Sequence, residues 1–295
     1  MATTRFFWVD VFAQTPLTGN PLALVPEADD LTLEQMVAIA REFNQSETTF
    51  LVTPALDGAD IRLLSFTPEG FEALGAGHNA MGAWIWLAGH GGLPPERHEF
   101  RQQIGQDILP VRIDRSPDSA VVRVTMQQSA PRFLGRVLDR ESLAAALSLA
   151  TDDLLATPGP VVASTGAEHL LVPVASRDAI DRTAPDSARL KAILAHSGAE
   201  GCYVFTTEPG ADGYDAYTRF FNPTVGIAED PATGTAAGPL AALLAKESPA
   251  VAGHEFRILQ GNAAGRPSVL SVVVNDDRVE LSGSGLVVAE GTLFL

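Results

Sequence analysis

Three residues that could move protons lie next to predicted turns in this chain of 295 residues. Glu47 lies where a predicted helix ends and a predicted strand begins, and His78 opens a predicted helix directly after Gly77. Asp230 lies in a predicted loop, 222–234, that leads into another helix. Carboxylates and imidazoles are common general acids and bases in enzymes. The three side chains together therefore predict a site for proton transfer.

Two of these turns also predict a site for an anion. Gly77 and His78 form the start of one helix, and Gly234 and Thr235 form the start of another. The first backbone N–H groups of a helix have no intrahelical acceptor and carry the positive end of the helix dipole. A substrate carboxylate is the kind of group that such N–H groups stabilise. We therefore expect a small anionic ligand at these turns.

Each of these residues, taken alone, is also typical of a structural role. A carboxylate at the start of a strand, such as Glu47, is usually solvated, and a histidine at a helix start, such as His78, is often a capping or packing residue. Asp230 precedes a proline, which is typical of a turn, and Thr235 could be an N-cap. The functional interpretation therefore depends on the combination of these residues.

The elements that would position these residues occur twice in the sequence. The pattern Phe-x-Pro at 66–68 recurs at 221–223. Three further residues recur 157 positions later in the same order, namely Glu72, Gly77 and Ala80, as Glu229, Gly234 and Ala237. Both copies read as a strand, an acidic residue, a glycine turn and a helix, which indicates an internal duplication. We expect two similar units that face each other, with two helix N-termini across one cleft.

Composition and charge exclude several classes of protein. The formal net charge of -16 repels the phosphates of nucleic acids and anionic membrane surfaces. Apolar residues make up 46% of the chain, which is typical of a globular protein with a sizeable core. No apolar run reaches the roughly 18 residues of a membrane helix, and the N-terminus lacks the apolar segment of a signal peptide. We expect a cytoplasmic protein that binds neither nucleic acid nor membranes.

Sequence motifs for cofactors and metals are missing. The chain contains no G-x-S-x-G, no H-E-x-x-H and no P-loop, and the glycines at 75 and 77 are not followed by a third at the Rossmann spacing. Its one cysteine, Cys202, excludes an internal disulfide and a cysteine-rich metal site. The six histidines are scattered along the sequence. The sequence therefore predicts no metal and no cofactor.

Seven short segments occur in an order and at spacings that resemble a known family. They are Gly19-Asn20-Pro21, Ser46-Glu47-Thr48-Thr49-Phe50, Phe66-Thr67-Pro68, Gly77-His78, Glu229-Asp230-Pro231-Ala232-Thr233-Gly234, Ala237-Gly238-Pro239, and Gln260-Gly261 with Gly265-Arg266-Pro267. Together they resemble the PhzF-like family of phenazine biosynthesis from end to end. The reference activity of that family is the isomerisation of trans-2,3-dihydro-3-hydroxyanthranilate.

The resemblance implies an α/β (α+β) fold like that of diaminopimelate epimerase. Such a fold has two pseudo-symmetric domains, each a curled β-sheet or barrel around a central helix, with the site between them. The 157-residue repeat places the boundary near residue 128, so the N-terminal domain covers residues 1–128, and in this fold the C-terminal strand, about 286–295, returns to it. The C-terminal domain then covers residues 129–285. The resemblance also implies a homodimer that uses no cofactor.

The same resemblance implies roles for the site residues. Glu47 falls on the family's acid/base glutamate, His78 on its Gly-His position and Asp230 on its Glu-Asp-Pro position. The residues expected to bind the substrate are Gly77, Asn79, Gly234 and Thr235.

Three residues of this chain depart from the family's usual pattern. Asn79 replaces a proline or alanine, Gly75 is smaller than the residue commonly found there, and Thr235 stands where serine is usual. All three are predicted to lie at the pocket wall. We therefore expect a relative of the reference substrate at least as readily as the reference substrate itself.

The sequence as a whole predicts a cofactor-independent isomerase that moves a proton on a small carboxylated metabolite, with Glu47 as the general acid/base. A two-cysteine racemase of the same fold would need a thiol just before each glycine turn. This chain has Ala76 and Thr233 there, and neither can exchange a proton. A non-catalytic protein that binds small molecules and has kept the fold is the other alternative. The presence of Glu47, His78 and Asp230 together argues against it.

Overall fold

The chain divides into two compact units. The computed structural model describes residues 3–115, 121–248 and 253–295. Unit 1 comprises Met1–Gln127 and Ser282–Leu295, and unit 2 comprises Gln128–Leu281. Parts of both predicted domains lie outside the described residues, namely 1–2, 116–120 and 249–252.

Unit 1 is a closed sheet with a buried helix. Its strands are β1 (Thr3–Val11), β2 (Asn20–Val25), β3 (Thr48–Val52), β4 (Ile61–Phe66), β5 (Glu99–Ile104), β6 (Asp107–Arg115), β7 (Val122–Gln128) and the distal part of β16 (Arg278–Phe294). They are hydrogen-bonded in the order β1-β2-β3-β4-β5-β6-β7-β16, and an antiparallel pairing of β16 with β1 closes the ring. The helix α2 (His78–Gly89) is buried along most of its length and contacts β1, β2 and β3.

A second helix of unit 1, α1 (Leu33–Phe43), packs on the sheet and begins at a capping box. The Thr32 hydroxyl accepts a hydrogen bond from the Gln35 N–H, and the Gln35 side chain accepts one from the Thr32 N–H. These two bonds satisfy N–H groups that a helix start otherwise leaves without an acceptor. Met36 and Ile39 are buried against apolar residues of β2, β3 and β4. This packing fixes the direction in which the chain leaves α1 and enters β3.

Unit 2 repeats the plan of a curled sheet with a buried helix. Its remaining strands are β8 (Arg132–Arg136), β9 (Val161–Ser164), β10 (Glu168–Pro173), β11 (Gly201–Thr206), β12 (Ala216–Asn222), β13 (Ile227–Asp230), β14 (Glu255–Gln260) and β15 (Ser268–Asn275). The order is β16-β15-β14-β12-β11-β10-β9-β8, with β13 paired to β12. The helix α6 (Gly234–Glu247) is largely buried and contacts β9, β10 and β15.

Three shorter helices complete unit 2. They are α3 (Arg140–Ala146), α4 (Arg177–Arg182) and α5 (Ser187–Ser197). They contribute to an apolar cluster that also contains Leu170, Val172 and Cys202 of the sheet. Cys202 is therefore a packing residue, and its burial raises the pKa of its thiol well above the usual range.

The predicted fold class is confirmed. Each unit is a mixed α/β structure in which a curled sheet surrounds one buried helix. The predicted loop 222–234 differs from the structure, because it contains a 3-10 turn at Pro223–Val225 and the strand β13. Asp230 therefore lies at the end of a hydrogen-bonded strand. None of the described helices has the length and apolar content needed to cross a membrane.

Candidate active-site residues

Glu47 is held between two rigid elements of unit 1. Helix α1 is capped at its C-terminus by Asn44, whose N–H donates to the Ala40 carbonyl at 3.0 Å and whose left-handed backbone, with φ of 51°, turns the chain out of the helix. Strand β3 begins at Thr48 and pairs with β2 on one side and β4 on the other. The short connection between these elements leaves Glu47 little freedom to change position.

Glu47 and His78 face each other in this unit. His78 is the first residue of α2, and its Nε2 lies 3.3 Å from Oε2 of Glu47. The His78 side chain is 10% exposed and the Glu47 side chain 23% exposed. Two residues that the sequence assigns separately to proton transfer thus lie within reach of one proton.

The environment of Glu47 favours its protonated form. Oε2 is buried, although other atoms of the side chain reach solvent, and it accepts no hydrogen bond from any residue that the structure describes. The approach of His78 is close but lacks hydrogen-bond geometry. Burial raises the pKa of Glu47 to about 7, because a carboxylate without hydrogen-bond donors is poorly stabilised away from water. A carboxyl group with such a pKa can both accept and release a proton near neutral pH.

This burial predicts a particular dependence of stability on pH. Between about pH 4.5 and about pH 7 the folded state keeps a proton on Glu47 that the unfolded state loses, so the free energy of unfolding falls as pH rises through this window. Glu47→Gln cannot ionise and should lose this dependence. We expect it to be more stable than the parent above about pH 7, by up to about 3 kcal/mol.

Urea unfolding of both proteins at about pH 5 and about pH 8 measures this effect. Glu69→Gln is a matched control, because it removes the same charge from an exposed site in the same unit. Equal changes of stability with pH in the parent and in Glu47→Gln would contradict the assigned environment.

The Asn79 side chain forms hydrogen bonds that stabilise the glycine turn before α2. Its Oδ1 accepts a hydrogen bond from the Gly77 N–H at 2.8 Å, and its Nδ2 donates to the Gly75 carbonyl and to Ser65 Oγ, both at 3.1 Å. Ser65 Oγ also lies 2.9 Å from Thr49 Oγ1 of β3. The N–H that the sequence analysis assigns to an anion is thus bonded within the protein. Substrate binding by Gly77 and Asn79 stays a prediction.

In unit 2, Asp230 belongs to a buried polar network. The Thr233 hydroxyl donates to Asp230 Oδ2, and Gln260 Nε2 donates to the Asp230 carbonyl at 2.7 Å and to Thr233 Oγ1 at 3.0 Å. Gln260 Oε1 accepts from the Tyr203 hydroxyl at 2.9 Å and from the Thr233 N–H at 3.2 Å. The network fixes the Asp230 carboxyl group and the turn before α6 relative to β11 and β14.

Thr235, in the first turn of α6, contacts a residue that the sequence analysis did not identify. Its Oγ1 lies 2.9 Å from Nε2 of His169 on β10. The Gly234 carbonyl accepts a hydrogen bond from Gln128 Nε2 at 2.9 Å. Helix α6 has no side-chain cap, and its N–H groups at Ala236 and at the following residue bond to the Thr233 carbonyl. The first N–H groups of α6 remain suited to an anion.

The partners in unit 2 carry no local signal in the sequence. His169 and Tyr203 occur singly in apolar strands, where a polar residue can be identified as functional only from its neighbours in space. Gln260 belongs to the segment that resembles the family, but the resemblance gave it no role. Burial lowers the pKa of His169 to about 4, so its imidazole is neutral at physiological pH.

An ion pair supports the strand that carries Asp230. Arg219 on β12 donates from Nε and Nη2 to the two carboxylate oxygens of Glu229 at 2.9 and 2.7 Å. Its Nη1 donates to the carbonyls of Thr183 and Ile180, at the end of α4, at 2.7 and 3.1 Å. The Arg219 side chain is 10% exposed. This one guanidinium therefore joins β12, β13 and α4 in the interior of unit 2.

The part of the chain that the structure describes contains no cluster of three His, Cys, Asp or Glu side chains arranged to hold a metal ion.

A curled sheet around a buried helix, with a carboxyl and an imidazole group side by side at the helix start, is an α/β fold of the epimerase-like class. The sequence profile of the PhzC-PhzF family, described as phenazine biosynthesis-like protein, matches residues 9–291, and the chain belongs to this family.

Individual relatives agree with this assignment. The trans-2,3-dihydro-3-hydroxyanthranilate isomerase of Pseudomonas fluorescens is 35% identical over 97% of this chain and 98% of that protein. A PhzF-family phenazine biosynthesis protein of Bacillus anthracis has a TM-score of 0.91 at 28% identity, with full coverage of both chains. A protein of Pseudomonas aeruginosa named as a predicted epimerase has a TM-score of 0.83 at 32% identity over 99% of both chains. Membership of this family supports an isomerase or epimerase.

Proposed function

We propose that this protein is a cofactor-independent isomerase that moves a proton within a small carboxylated substrate, with Glu47 as the general acid/base. The observation that carries the proposal is the buried Oε2 of Glu47, 3.3 Å from Nε2 of His78. A pKa near 7 suits such a group, because general acid/base catalysis is most efficient when the pKa lies near the working pH.

The proposed reaction transfers one proton and leaves the oxidation state of the substrate unchanged. The Glu47 carboxylate removes a proton from a carbon atom next to an unsaturated system, and the electron pair moves into that system. The protonated Glu47, whose side chain is 23% exposed, exchanges its proton with water and then delivers a proton to another carbon of the same molecule. His78 holds an amino or hydroxyl group of the substrate and shares the proton with Glu47. The atoms and electrons balance without an added reactant.

Three further residues are proposed as ligands of the substrate because they match the family's motifs, namely Asp230, Gly234 and Thr235. Asp230 accepts a hydrogen bond from an amino or hydroxyl group, and Thr233 and Gln260 hold it in place. Gly234 and Thr235, in the uncapped first turn of α6, bind the carboxylate. A helix N-terminus stabilises an anion by roughly 0.3–1 kcal/mol when exposed and up to about 2 when partly buried. This local effect helps to offset the repulsion from a net charge of -16.

We propose trans-2,3-dihydro-3-hydroxyanthranilate or a close relative as the substrate. The name of the relative from Pseudomonas fluorescens supports this class of compound. The contacts of Asn79 remove one argument against the reference compound, since its amide bonds to Gly75, Gly77 and Ser65 and requires no polar partner on a ligand. Thr235 supports a relative instead, because its methyl group takes space that a serine leaves open.

Proton exchange distinguishes this enzyme from a protein that only binds the ligand. The purified protein is incubated with trans-2,3-dihydro-3-hydroxyanthranilate in deuterated water while its ultraviolet spectrum is followed. We expect a change in the spectrum and the incorporation of one deuterium at carbon, measured by mass spectrometry. Binding of the compound by calorimetry without any exchange would support a non-catalytic binding protein. Exchange into a related carboxylated compound only would identify a different substrate for the same chemistry.

A further inference from the structure

His169 is a buried polar residue on the sheet that surrounds α6. It lies on β10, is 3% exposed, and packs edge-on against the ring of Phe220 with centroids 5.1 Å apart. Its Nε2 lies 2.9 Å from Thr235 Oγ1. Its neighbours in β10, Leu170 and Leu171, are fully buried and apolar. An apolar side chain would suit this position in the sheet, so packing alone does not explain why an imidazole is found here.

The second ring nitrogen identifies the tautomer. Nδ1 of His169 is buried and has no hydrogen-bond partner among residues 3–115, 121–248 and 253–295. A proton on Nδ1 would leave a buried N–H without an acceptor, and orphaned buried N–H groups are rarer in proteins than acceptors that lack a donor. The proton therefore belongs on Nε2, which then donates to Thr235 Oγ1. The low pKa of His169 agrees with a single ring proton.

This tautomer determines what the Thr235 hydroxyl can do. Its oxygen accepts from His169, so its own hydrogen is left to donate to another group. No hydrogen bond from this hydroxyl to a described residue is present, and Thr235 is half-buried at the helix start. We infer that His169 is a positioning residue that sets the Thr235 hydroxyl as a hydrogen-bond donor to the substrate carboxylate. This inference rests on the proposed function, which places the carboxylate at α6.

Loss of the imidazole would change the direction of this hydroxyl. Thr235 lies in the first turn of α6, and a threonine side chain can occupy more than one χ1 rotamer there. With Nε2–H bound to its oxygen, the Thr235 hydroxyl is restricted to fewer rotamers. Without it, part of the population would turn towards the backbone and away from the ligand. The expected effect is on binding of the carboxylate rather than on proton transfer at carbon.

The first test observes the tautomer directly. Two-dimensional long-range ¹H–¹⁵N spectra of the labelled protein distinguish a proton on Nε2 from one on Nδ1, and the signals of His169 are those missing from the His169→Phe variant. We expect the Nε2–H tautomer without ligand. The Nδ1–H tautomer would overturn the inference, whatever the protein catalyses.

The second test measures the affinity for 3-hydroxyanthranilate, a stable aromatic analogue, by calorimetry. Thr235→Val, which keeps the shape and removes the hydroxyl, should weaken binding by about 10- to 100-fold. His169→Phe should weaken it by about three- to tenfold, and His169→Gln, which can place an amide N–H near Nε2, should stay within about threefold of the parent. In the Thr235→Val background, His169→Phe should add less than about twofold.

The matched variants separate positioning from a structural role. Thermal unfolding of each variant reports its fold, and a structural role would predict loss of affinity in proportion to loss of stability. Equal affinities of His169→Phe and the parent, or an undiminished effect of His169→Phe in the Thr235→Val background, would overturn the inference. So would the absence of saturable binding by the parent. These measurements need no turnover, so they stand whether or not Glu47 proves to be the base.

Discussion

Replacement of Glu47 by glutamine is expected to lower kcat/KM by about 10²- to 10⁴-fold, the usual contribution of a general acid or base. The glutamine side chain has nearly the same shape, but it cannot take a proton from carbon. The loss should appear equally in the rate of deuterium incorporation, because both measurements report the same proton transfer. KM should change little if the amide still fits beside His78.

The pH dependence of the parent gives an independent check of this role. The base must be ionised to act, so kcat/KM should fall as pH drops below about 7 and reach a plateau above it. The residual activity of Glu47→Gln should lack this transition, and Glu69→Gln should behave like the parent. Turnover close to that of the parent in Glu47→Gln would remove Glu47 from its proposed role. If Glu47→Gln is less active than the parent and more stable above pH 7, then Glu47 lowers stability but is needed for activity.

Replacement of Arg219 by methionine is expected to lower the free energy of unfolding by about 3–5 kcal/mol. Methionine fills much of the volume of the arginine stem but leaves the largely buried Glu229 carboxylate without a partner. It also removes the donor to the Thr183 carbonyl, whereas the Ile180 carbonyl keeps its hydrogen bond from the Thr183 N–H. The loss of one partner costs more than the loss of both, because the remaining buried charge has no compensation.

Denaturant unfolding measures this loss, and Arg182→Met is the matched control. Arg182 also forms ion pairs with two carboxylates, Asp153 and Asp178, but its side chain is 48% exposed. Exposed ion pairs contribute about 0–1 kcal/mol each, so the control should stay close to the parent. The double variant Arg219→Met with Glu229→Leu should recover part of the stability. Equal losses in Arg219→Met and Arg182→Met would contradict the assigned burial of the pair.

The positions of Glu47 and His78 between their flanking elements could be predicted from the sequence because the signals for these elements are local, whereas their catalytic roles stay a prediction. The residues that end α1 and form the turn before α2, Asn44 and Gly77, lie within a few positions of Glu47 and His78 in the sequence. The repeat of strand, glycine turn and helix likewise predicted two similar units, and the family resemblance predicted a central helix in each. These local signals do not show that Glu47 Oε2 and His78 Nε2 lie 3.3 Å apart, because that distance depends on how α2 packs within the sheet.

The residues that hold Asp230 in place could not be predicted from the sequence, because their contacts depend on pairing between distant strands. Tyr203 and Gln260 meet only because β11 and β14 both pair with β12. A single polar residue in an apolar strand is expected to be buried, but its hydrogen-bond partner depends on the register of the whole sheet. The Asn79 amide was expected at a pocket wall, whereas its local bonds to the glycine turn are those typical of asparagine in turns.

Closure of the unit 1 sheet has a consequence for the order in which the chain is made. Strand β1 pairs from Thr3 to Val11 with Phe294 back to Gly285 of β16, so the first and last described strands form one ladder. During synthesis, β1 to β7 are made before the whole of unit 2. Until β16 is made, the sheet has two unpaired edges, at β1 and at β7. Open edges can pair with those of other chains. The newly made N-terminal half therefore depends on the late arrival of its closing strand, and a ribosome that stalls within unit 2 leaves an incomplete, aggregation-prone ring.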